Sequence, residues 1–420
     1  MHYVIIGAGP SGVTAAETLR KYDSEGQIDL LTSEPEAPYS RMAIPYYLTG
    51  NIDEPGCHLR KQDQHFDDLK INVLNETVIT LDNRNKTLDL TSGKSLAYDK
   101  LLIATGSRPA VPPIPGADLP MVSNCWTLAD ARKIIDRTQS GSKVVLIGAG
   151  FIGSIILEAL FKRGVELHVI ETGNRMVPRM LNEKAGGLLK AWCIEKGVDV
   201  HTSCSVDNII DNGDNSANVH LNNGTELNNV ALIITATGVK SNLELLQGSD
   251  IQVGQGIIVN QQMQSSDPDV YAAGDVAQGL DFSTGQSSVQ AIQPTATDHG
   301  RIAAMNMAGK RSTHHGSVNM NVLDTLGLIS HSFGLWMGVD GGDSAELYNP
   351  DDYKYLNLQF DKDRLVGASC SGITQHIGIL RGLIESRIPL GELWKDRLLK
   401  DPTRFVEAYM ASTQVLGYHA

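Results

Sequence analysis

Apolar runs near the start of the chain predict a β-α-β unit. The run His2–Ile6 reads as a buried strand, and an alanine-rich amphipathic stretch that extends to about Tyr22 reads as a helix. A second apolar run, Ile28–Thr32, supplies the next strand. Much later, the segment Leu101–Ser107 (LLIATGS) predicts another buried strand that closes on Ala-Thr-Gly.

The same order of apolar and glycine-rich segments recurs in the middle of the chain. Lys143–Ile147 predicts a strand, the following residues to about Arg163 predict a helix, and the next predicted strand ends at Glu171. The segment Leu232–Val239 (LIITATGV) repeats the closing Ala-Thr-Gly. Because the whole order is repeated, the sequence predicts two copies of one fold.

The segments outside the repeats have patterns of their own. Short alternations in Ile71–Asp99 predict a small β meander, and the proline-rich residues 108–116 predict a stiff linker. Val270–Ala277 (VYAAGDVA) places an aspartate after a buried strand, ahead of a helix predicted from about Asp298 to Ala308. Alternating residues from 314 to 360 and a helical pattern after them predict a separate α+β domain.

Composition and charge narrow the function classes. The chain has 420 residues, with 35 Lys+Arg against 48 Asp+Glu and a formal net charge of -13, which disfavours binding to nucleic acid or to an anionic membrane. No apolar run approaches the ~20 residues of a membrane span, and His2 already starts a strand, so we expect a cytoplasmic protein without a signal peptide. The 5 cysteines show no metal-ligand spacing, so no metal site is expected.

The glycine-rich turns predict dinucleotide binding. In GAGPSG, Gly7 permits the tight turn, Gly9 lets a pyrophosphate approach the backbone, and Gly12 allows the helix to pack close to the strand. The helix N-terminus then faces the phosphates. GAGFIG, at Gly148–Gly153, repeats this pattern in the second unit.

An acidic residue is expected after the second strand of each unit, to bind the adenosine ribose. In the first unit Glu34 is the best-placed candidate, and Ser33 or Asp29 are alternatives for the same position.

In the second unit the acid is Glu171, which lies 23 residues after Gly148. A carboxylate at this position accepts hydrogen bonds from the ribose hydroxyls and repels a 2′-phosphate, so NAD is favoured over NADP. Arg175 and Arg179 follow, and they are the feature that would admit NADPH if they are not ordinary surface charges.

Two GxGxxG turns, two Ala-Thr-Gly strands and YAAGDV, in this order, resemble the FAD/NAD(P)H-dependent pyridine nucleotide-disulfide oxidoreductase superfamily. PYSRMAIPYYLTG (Pro38–Gly50), ATGSRP and the helix that follows Gln293 and Pro294 resemble most the branch of rubredoxin, ferredoxin and nitrite reductase flavoproteins and coenzyme A disulfide reductases. The resemblance implies that the first unit holds FAD and the second holds NAD(H). It also implies that Asp275 hydrogen-bonds the ribityl and pyrophosphate region of FAD.

The resemblance assigns one set of residues to each cofactor. The expected FAD-binding residues are Gly7, Gly9, Pro10, Ser11, Gly12, Glu34, Arg41, Ala104, Thr105, Gly106, Gly274, Asp275, Gln293 and Pro294. The expected NAD-binding residues are Gly148, Gly150, Phe151, Ile152, Gly153, Glu171, Thr237 and Gly238.

The chain departs from this family at positions that carry its chemistry. Met42 stands where coenzyme A disulfide reductases have their redox cysteine, and a thioether cannot attack a disulfide. Tyr46 stands where the ferredoxin reductases have a lysine, and Ile155 replaces a glutamate near the nicotinamide. The flavin itself would be the reacting group, with Tyr46 and Glu158 as weak catalytic candidates; a surface or interdomain role is the alternative for Glu158.

The fold class expected from these patterns is α/β, with two interleaved Rossmann-like three-layer dinucleotide-binding domains and a C-terminal α+β domain. Residues 1–109 and 240–312 would form a discontinuous FAD-binding domain, and residues 110–239 an NAD(H)-binding domain. Residues 313–420 would form the C-terminal domain, which in this family commonly supplies a dimer interface.

The function expected is an FAD-dependent NAD(P)H oxidoreductase. Without a redox cysteine, electrons would pass between the flavin and an external acceptor such as a rubredoxin, a ferredoxin or another iron–sulfur protein. The alternative is the flavin subunit of a multisubunit complex, for example an aldehyde oxidoreductase, that exchanges electrons between an iron–sulfur subunit and NAD. A weaker alternative is an oxidase that reduces O₂ directly. A homodimer through the C-terminal domain is a further expectation.

Overall fold

A computed structural model describes residues 1–417, so the last three residues of the expected C-terminal domain lie outside the described chain. The strands, numbered in chain order, are β1 (His2–Ile6), β2 (Gln27–Thr32), β3 (Ile71–Asn75), β4 (Val78–Asp82), β5 (Thr87–Leu90), β6 (Ser95–Ala97), β7 (Lys100–Ile103), β8 (Ser107–Pro109), β9 (Val122–Ser123), β10 (Lys143–Ile147), β11 (Glu166–Ile170), β12 (Asp199–His201), β13 (Val206–Asp211), β14 (Ala217–Leu221), β15 (Glu226–Val230), β16 (Leu232–Thr235), β17 (Val239–Ser241), β18 (Ile257–Ile258), β19 (Val270–Ala272), β20 (Ala277–Leu280), β21 (Ser287–Val289), β22 (Met320–Thr325), β23 (Leu328–Gly334), β24 (Asp343–Asn349), β25 (Lys354–Asp361) and β26 (Arg364–Ser371).

The helices are α1 (Pro10–Tyr22), α2 (Ile44–Leu48), α3 (His65–Asp68), α4 (Leu128–Arg137), α5 (Phe151–Lys162), α6 (Glu183–Glu195), α7 (Gln293–Met307), α8 (Gly378–Ser386), α9 (Gly391–Lys400) and α10 (Phe405–Gly417). Within residues 1–417, none of them combines the length and the apolar character that crossing a bilayer requires.

The described chain divides into two compact units. The first unit comprises residues 1–109, 126–128 and 239–317, and the second comprises residues 110–125, 129–238 and the residues from 318 onward. Each unit contains a five-stranded parallel sheet, with the order β19-β7-β1-β2-β3 in the first unit and β12-β11-β10-β16-β9 in the second. The predicted α/β class with two repeated dinucleotide folds is confirmed.

The central strands of both parallel sheets are short and almost entirely apolar. In the first unit, Val4, Ile5, Leu101 and Leu102 are completely buried, because helices cover one face of the sheet and β strands the other. Strand β10 has the same character in the second unit, where its last four residues are buried. Continuous apolar runs of this kind are typical of parallel strands that are covered on both faces.

The segment expected to be one β meander is divided between two sheets. Residues Ile71–Asn75 pair in parallel with β2 and form the edge of the main sheet, while β4, β5 and β6 form the antiparallel meander. The prediction of a single meander over 71–99 was therefore wrong at its first strand. The side chain of Ile71 is buried in the core of the first unit, which holds this strand against the parallel sheet.

Helix α7 begins five residues earlier than the sequence pattern indicated. The helix starts at Gln293 rather than near Asp298, because Pro294 occupies the first turn, where the missing N–H and fixed φ of proline favour a helix start. In the C-terminal segment, the strands continue past residue 360 to Ser371 and form an antiparallel sheet in the order β22-β23-β26-β25-β24. Helices follow from Gly378, and the helical end of the prediction is confirmed.

Candidate active site

The glycine-rich turn of the first unit has a backbone geometry that excludes side chains at two positions. Gly7 has φ +110, and a Cβ atom on it would lie 2.2 Å from the carbonyl oxygen of Ala104. A Cβ atom on Gly12 would lie 1.9 Å from the carbonyl oxygen of Gly7. Only glycine fits at these two positions, and the strand that closes on Ala-Thr-Gly therefore lies against the turn.

Gly9 plays a different part, because no atom lies within 4 Å of the position that its Cβ would occupy. It is the N-cap residue of α1, and no side chain caps this helix end. The backbone N–H groups of the first turn thus face open space, as an anion-binding helix N-terminus requires. The cradle fits a pyrophosphate that approaches the backbone directly over Gly9.

The turn of the second unit repeats these distances. Gly148 has φ +103, with its Cβ position 2.5 Å from the carbonyl oxygen of Ala236, and the Cβ position of Gly153 is 2.0 Å from the carbonyl oxygen of Gly148. Gly150 is the uncapped N-cap of α5 and has nothing within 4 Å. The second cradle therefore fits a second dinucleotide, with Phe151 and Ile152 in the first turn of its helix.

The two Ala-Thr-Gly segments hold the strands in place behind the turns. The N–H of Ala104 donates to the carbonyl oxygen of Ile6, and the N–H of Ala236 donates to that of Ile147, both at 2.8 Å. Gly106 and Gly238 have positive φ and open space at their Cβ positions, so these two chain segments are also free to lie close to a ligand.

The threonines of these segments make local contacts. The carbonyl oxygen of Thr105 accepts from the side-chain amide of Asn242, at 2.8 Å. The hydroxyl of Thr237 donates to the carbonyl oxygen of Ala110, at 3.0 Å. Each threonine thus connects its Ala-Thr-Gly segment to another segment of the same unit.

Glu34 lies just beyond the carboxyl end of β2, where the adenosine ribose acid was expected. Its carboxylate accepts from the Arg41 guanidinium at 2.6 Å and from the hydroxyl of Tyr39. Arg41 also donates to the carbonyl oxygen of Trp126 and lies over the rings of Tyr39 and Trp126. Among the alternatives, Asp29 lies inside β2, where its carboxylate bonds to the side chains of His2 and Asn72.

Glu171 follows β11 directly and is buried, with 7% of its surface exposed. One carboxylate oxygen accepts from the N–H of Ala149, within the glycine-rich turn, at 2.8 Å, and the other accepts from the N–H of Gly173 at 2.7 Å. These bonds hold the negative charge beside the turn. The Arg175 guanidinium is held by oxygen atoms of its own loop, among them the carbonyl of Leu181 at 2.8 Å.

Three distant motifs of the first unit meet at the N-terminus of α1. A Cβ atom on Gly274 would lie 3.0 Å from the hydroxyl of Ser11, next to Pro10 in the first turn, and one on Gly300 of α7 would lie 2.2 Å from the carbonyl oxygen of Ser11. The side chain of Gln293, beside Pro294, accepts from the hydroxyl of Ser40 at 2.6 Å.

Asp275 lies in the short 3-10 turn that follows β19. Its carboxylate accepts from the hydroxyl of Ser107 at 2.8 Å. Burial raises the pKa of Asp275, while the Ser107 hydroxyl and the charge of Arg41 act in the opposite direction. A carboxyl held in this way has the character of a binding-site group, because desolvation strengthens its hydrogen bonds to a ligand.

Sequence reasoning did not single out three residues that complete this cluster. Ser107 donates to Asp275, Tyr39 donates to Glu34, and the indole N–H of Trp126 donates to the carbonyl oxygen of Ser107 at 3.1 Å. Ser107 follows Ala-Thr-Gly directly, and this position is the one signal from which its role could have been inferred. Trp126 is distant in sequence from every motif.

The five cysteines of the chain lie in surroundings that disfavour the thiolate form. None of the five cysteines forms a disulfide, and the pKa of each thiol is raised, with burial as the largest cause. For Cys193 and Cys370 the raised pKa is about 12. In Cys57, the cysteine nearest in sequence to Met42, the carboxylates of Glu54 and Asp53 add to the effect of burial. A thiol with a raised pKa is a poor nucleophile.

The two weak catalytic candidates lie in contrasting surroundings. Tyr46 is on α2, and 58% of its surface is exposed. Glu158, on α5, accepts from Lys162 at 2.5 Å and from the backbone N–H of Leu326 at 3.4 Å. Its bond to the loop between β22 and β23 supports the structural alternative for Glu158.

Comparisons with known proteins agree with this geometry. The family model of the pyridine nucleotide-disulphide oxidoreductases matches residues 1–300. The chain is 30% identical, over 98% of its length and 97% of the relative's, to the epsilon subunit of the NADH-dependent phenylglyoxylate dehydrogenase of Aromatoleum evansii. It is also 32% identical to rhodocoxin reductase of Rhodococcus erythropolis, over 76% of this chain and 74% of the relative.

A solved NAD-dependent persulfide reductase from A. fulgidus is similar in structure, with a TM-score of 0.85 and 29% identity over 93% of this chain and 78% of that one. The sequence, the two dinucleotide cradles and the relatives lead to one assignment. The chain belongs to the pyridine nucleotide-disulphide oxidoreductase family and is an NAD(P)H-dependent FAD oxidoreductase.

Proposed function

We propose that this protein passes electrons between NADH and an external iron–sulfur protein, with FAD as the carrier. FAD, when bound, accepts two electrons from NADH and can release them singly. The chain contributes two cradles, at Gly9 and at Gly150, that bind and orient the two dinucleotides. The relatives that include rhodocoxin reductase and the rubredoxin reductases support this choice of acceptor.

The observation that carries the proposal is the absence of a reactive thiol within the described residues. By the family resemblance, Met42 stands where coenzyme A disulfide reductases have their redox cysteine, and burial raises the pKa of Cys57, the nearest cysteine in sequence. Without a thiolate to relay electrons to a disulfide, the reducing equivalents must leave the protein from the flavin. An acceptor that takes single electrons suits this route.

We further propose that NADH is preferred over NADPH. The carboxylate of Glu171 is buried at the edge of the second cradle, and it accepts hydrogen bonds from the backbone N–H groups of Ala149 and Gly173 and from the hydroxyl of Thr172. A 2′-phosphate would have to approach this charge closely, and a like-charge contact in a partly buried site is unfavourable.

A stopped-flow experiment tests the electron acceptor. Purified holoprotein is reduced anaerobically with NADH and mixed with oxidised rubredoxin, oxidised ferredoxin, a low-molecular-weight disulfide, or O₂. We expect rapid reduction of at least one iron–sulfur protein and slow reaction with the disulfide, whereas flavin-free protein should reduce neither. Faster reduction of the disulfide than of either iron–sulfur protein would contradict the proposal, and fast turnover with O₂ alone would indicate an oxidase.

A second candidate function is the flavin subunit of a larger NADH-dependent complex. The supporting observation is that the phenylglyoxylate dehydrogenase epsilon subunit matches 98% of this chain, including the C-terminal segment, whereas rhodocoxin reductase matches 76%. Anaerobic purification from the native host distinguishes the two. A stoichiometric iron–sulfur protein that co-elutes supports the subunit, whereas a chain that elutes alone or as a homodimer supports a free reductase.

The homodimer and a cytoplasmic location are parts of the proposal for the free enzyme. Five cysteines without a disulfide are usual in a reducing compartment, which supports the location. Light scattering during size-exclusion chromatography gives the mass of the purified protein and tests the homodimer.

A further inference from the structure

Four polar side chains lie on one face of the parallel sheet of the second unit, at the edge of that sheet. Glu166 and His168 alternate along β11, and Asp199 and His201 alternate along the edge strand β12. Alternate residues of a strand point to the same face, and His168 is paired with Asp199 in the parallel register. The two strands therefore bring two imidazoles and two carboxylates together.

The ring nitrogens converge on one carboxylate oxygen. Oδ2 of Asp199 lies 2.9 Å from Nδ1 of His168 and 2.9 Å from Nε2 of His201. One ligand atom from each of these three residues lies within 4.8 Å of the others. Two ligands of a tetrahedral zinc ion, each about 2.0–2.1 Å from the metal, are roughly 3.3 Å apart. Each of the two measured imidazole–carboxylate distances is thus about 0.4 Å shorter than this separation.

The second carboxylate is placed as a supporting group. Oε1 of Glu166 lies 3.2 Å from Nε2 of His168, on the side of the ring opposite Asp199. A neutral imidazole has one N–H, so when it donates to Glu166 its Nδ1 presents a lone pair toward the carboxylate of Asp199. A cation between these two atoms stabilises the arrangement. Metal-binding histidines almost always donate their other N–H to a carboxylate, a carbonyl or water in this way.

The exposure of the cluster suits a bound ion that has one coordination position open to water. The side chain of His168 is 11% exposed and that of His201 20%, while that of Asp199 is 53% exposed. The two imidazoles are thus held by their surroundings, and the third ligand opens to solvent. Water can complete the coordination shell from this side.

We propose that His168, Asp199 and His201 bind one divalent transition-metal ion of the zinc class, and that Glu166 orients His168. Imidazole nitrogen and carboxylate oxygen are ligands that Zn²⁺ accepts. The ion would lie between β11 and the three-residue edge strand β12. The carbonyl oxygen of His201 accepts from the N–H of Glu171 at 2.8 Å, so the same strand also supports the expected ribose acid.

Equilibrium dialysis of the holoprotein against Zn²⁺, after treatment with a chelator, tests the proposal. Bound metal is measured by atomic emission for the wild type, Asp199→Asn, His201→Ala and His220→Ala. His220 lies on β14, outside the cluster, and provides the matched control. We expect the wild type and His220→Ala to bind one more Zn²⁺ per chain than the other two variants. Glu166→Gln should keep the site but weaken it about 10–100-fold.

The melting temperature is a second measurement, independent of activity. Zn²⁺ should raise the melting temperature of the wild type and of His220→Ala, with no matching rise for Asp199→Asn. The Asp199 side chain is 53% exposed, so this substitution leaves the core packing unchanged. Equal Zn²⁺ binding by the wild type, Asp199→Asn and His201→Ala would overturn the proposal. The four side chains would then form ion pairs only.

Discussion

The two dinucleotide folds of this chain have nearly the same backbone but treat their acidic residues differently. In both folds the first and third glycines are required by close backbone contacts, and the second glycine leaves open space. In the first fold, Glu34 is bound by the side chains of Arg41 and Tyr39. In the second fold, Glu171 is bound by the backbone N–H groups of Ala149 and Gly173.

This difference indicates that pyrophosphate binding and discrimination against a 2′-phosphate depend on different groups. The glycine-rich turn and the helix N-terminus form a backbone site for any pyrophosphate, and they recur because their geometry is local. The charge near the ribose depends on what surrounds the acid. A guanidinium neutralises Glu34, whereas backbone amides leave the full charge of Glu171 in place. We therefore expect the second fold to discriminate more strongly against an added phosphate.

The largest effect is expected from Gly12→Ala. Its Cβ would lie 1.9 Å from the carbonyl oxygen of Gly7, and backbone cannot move aside as a flexible side chain can. The free energy of unfolding of the flavin-free protein should fall by about 3 kcal/mol. Guanidinium unfolding measures it, with Gly9→Ala as the control, because that position is open and should change by less than about 1 kcal/mol. Equal unfolding midpoints for the two variants would refute this account of the turn.

The next effect compares Gly9→Ala with Gly150→Ala. Both residues have negative φ, so alanine adopts the backbone without strain, and the added methyl group occupies the space expected for a pyrophosphate. Gly9→Ala should weaken FAD binding about tenfold or more, and Gly150→Ala should weaken NADH binding to a similar extent. Flavin content and the KM for NADH measure the two effects. Loss of flavin from Gly150→Ala would show that the folds are not independent binding sites.

A smaller effect is expected from Glu171→Gln. The variant keeps an acceptor for one backbone N–H but loses the charge, so the preference for NADH over NADPH should narrow about tenfold. The measurement is the rate of flavin reduction by each cofactor. Glu34→Gln is the matched control in the first fold and should leave the preference unchanged. If the wild type is reduced equally fast by both cofactors, Glu171 does not have the role that we assign to it.

Asp275→Asn should raise the free energy of unfolding of the flavin-free protein by about 1 kcal/mol at pH 7, whereas Gly12→Ala should lower it. Burial raises the pKa of Asp275, so the folded protein binds this proton more tightly than the unfolded chain does. The free energy of unfolding therefore falls as the pH rises from the usual pKa of an aspartate through the raised pKa of Asp275. It stays lowered at neutral pH, where the buried carboxyl is ionised. Flavin-free Asp275→Asn should be more stable than the wild type at pH 7 and similar to it near pH 3. The reverse order at pH 7 would show that the Ser107 bond outweighs burial.

The repeated folds were predictable because the glycine pattern fixes backbone geometry locally. The positions of Gly7, Gly12, Gly148 and Gly153 follow from their neighbours in sequence, and the structure gives each of them the expected close contact. The partners of Glu34 were not predictable, because Arg41 and Tyr39 reach it from a loop whose course depends on tertiary packing.

The same limit applies to strand pairing and to isolated side chains. Residues Ile71–Asn75 have a pattern that fits a meander or an edge of the main sheet equally well, and pairing with β2 decides between them. The roles of Ser107 and Trp126 arise from contacts between segments far apart in the chain. Sequence periodicity carries no information about such contacts.

The smallest effect is expected from Cys57→Ser, which tests whether a thiol of the first unit takes part in electron transfer. Burial and two carboxylates raise the pKa of this thiol, so it should not exchange electrons with the flavin. Reduction of an artificial one-electron acceptor should therefore be nearly unchanged, and Cys57→Ala checks that any loss is not due to a buried hydroxyl. Anaerobic titration with NADH should end after about two electrons per FAD, the capacity of a flavin alone. Uptake of about four electrons, together with loss of activity in both variants, would place a redox-active thiol beside the flavin and return this protein to the disulfide reductases.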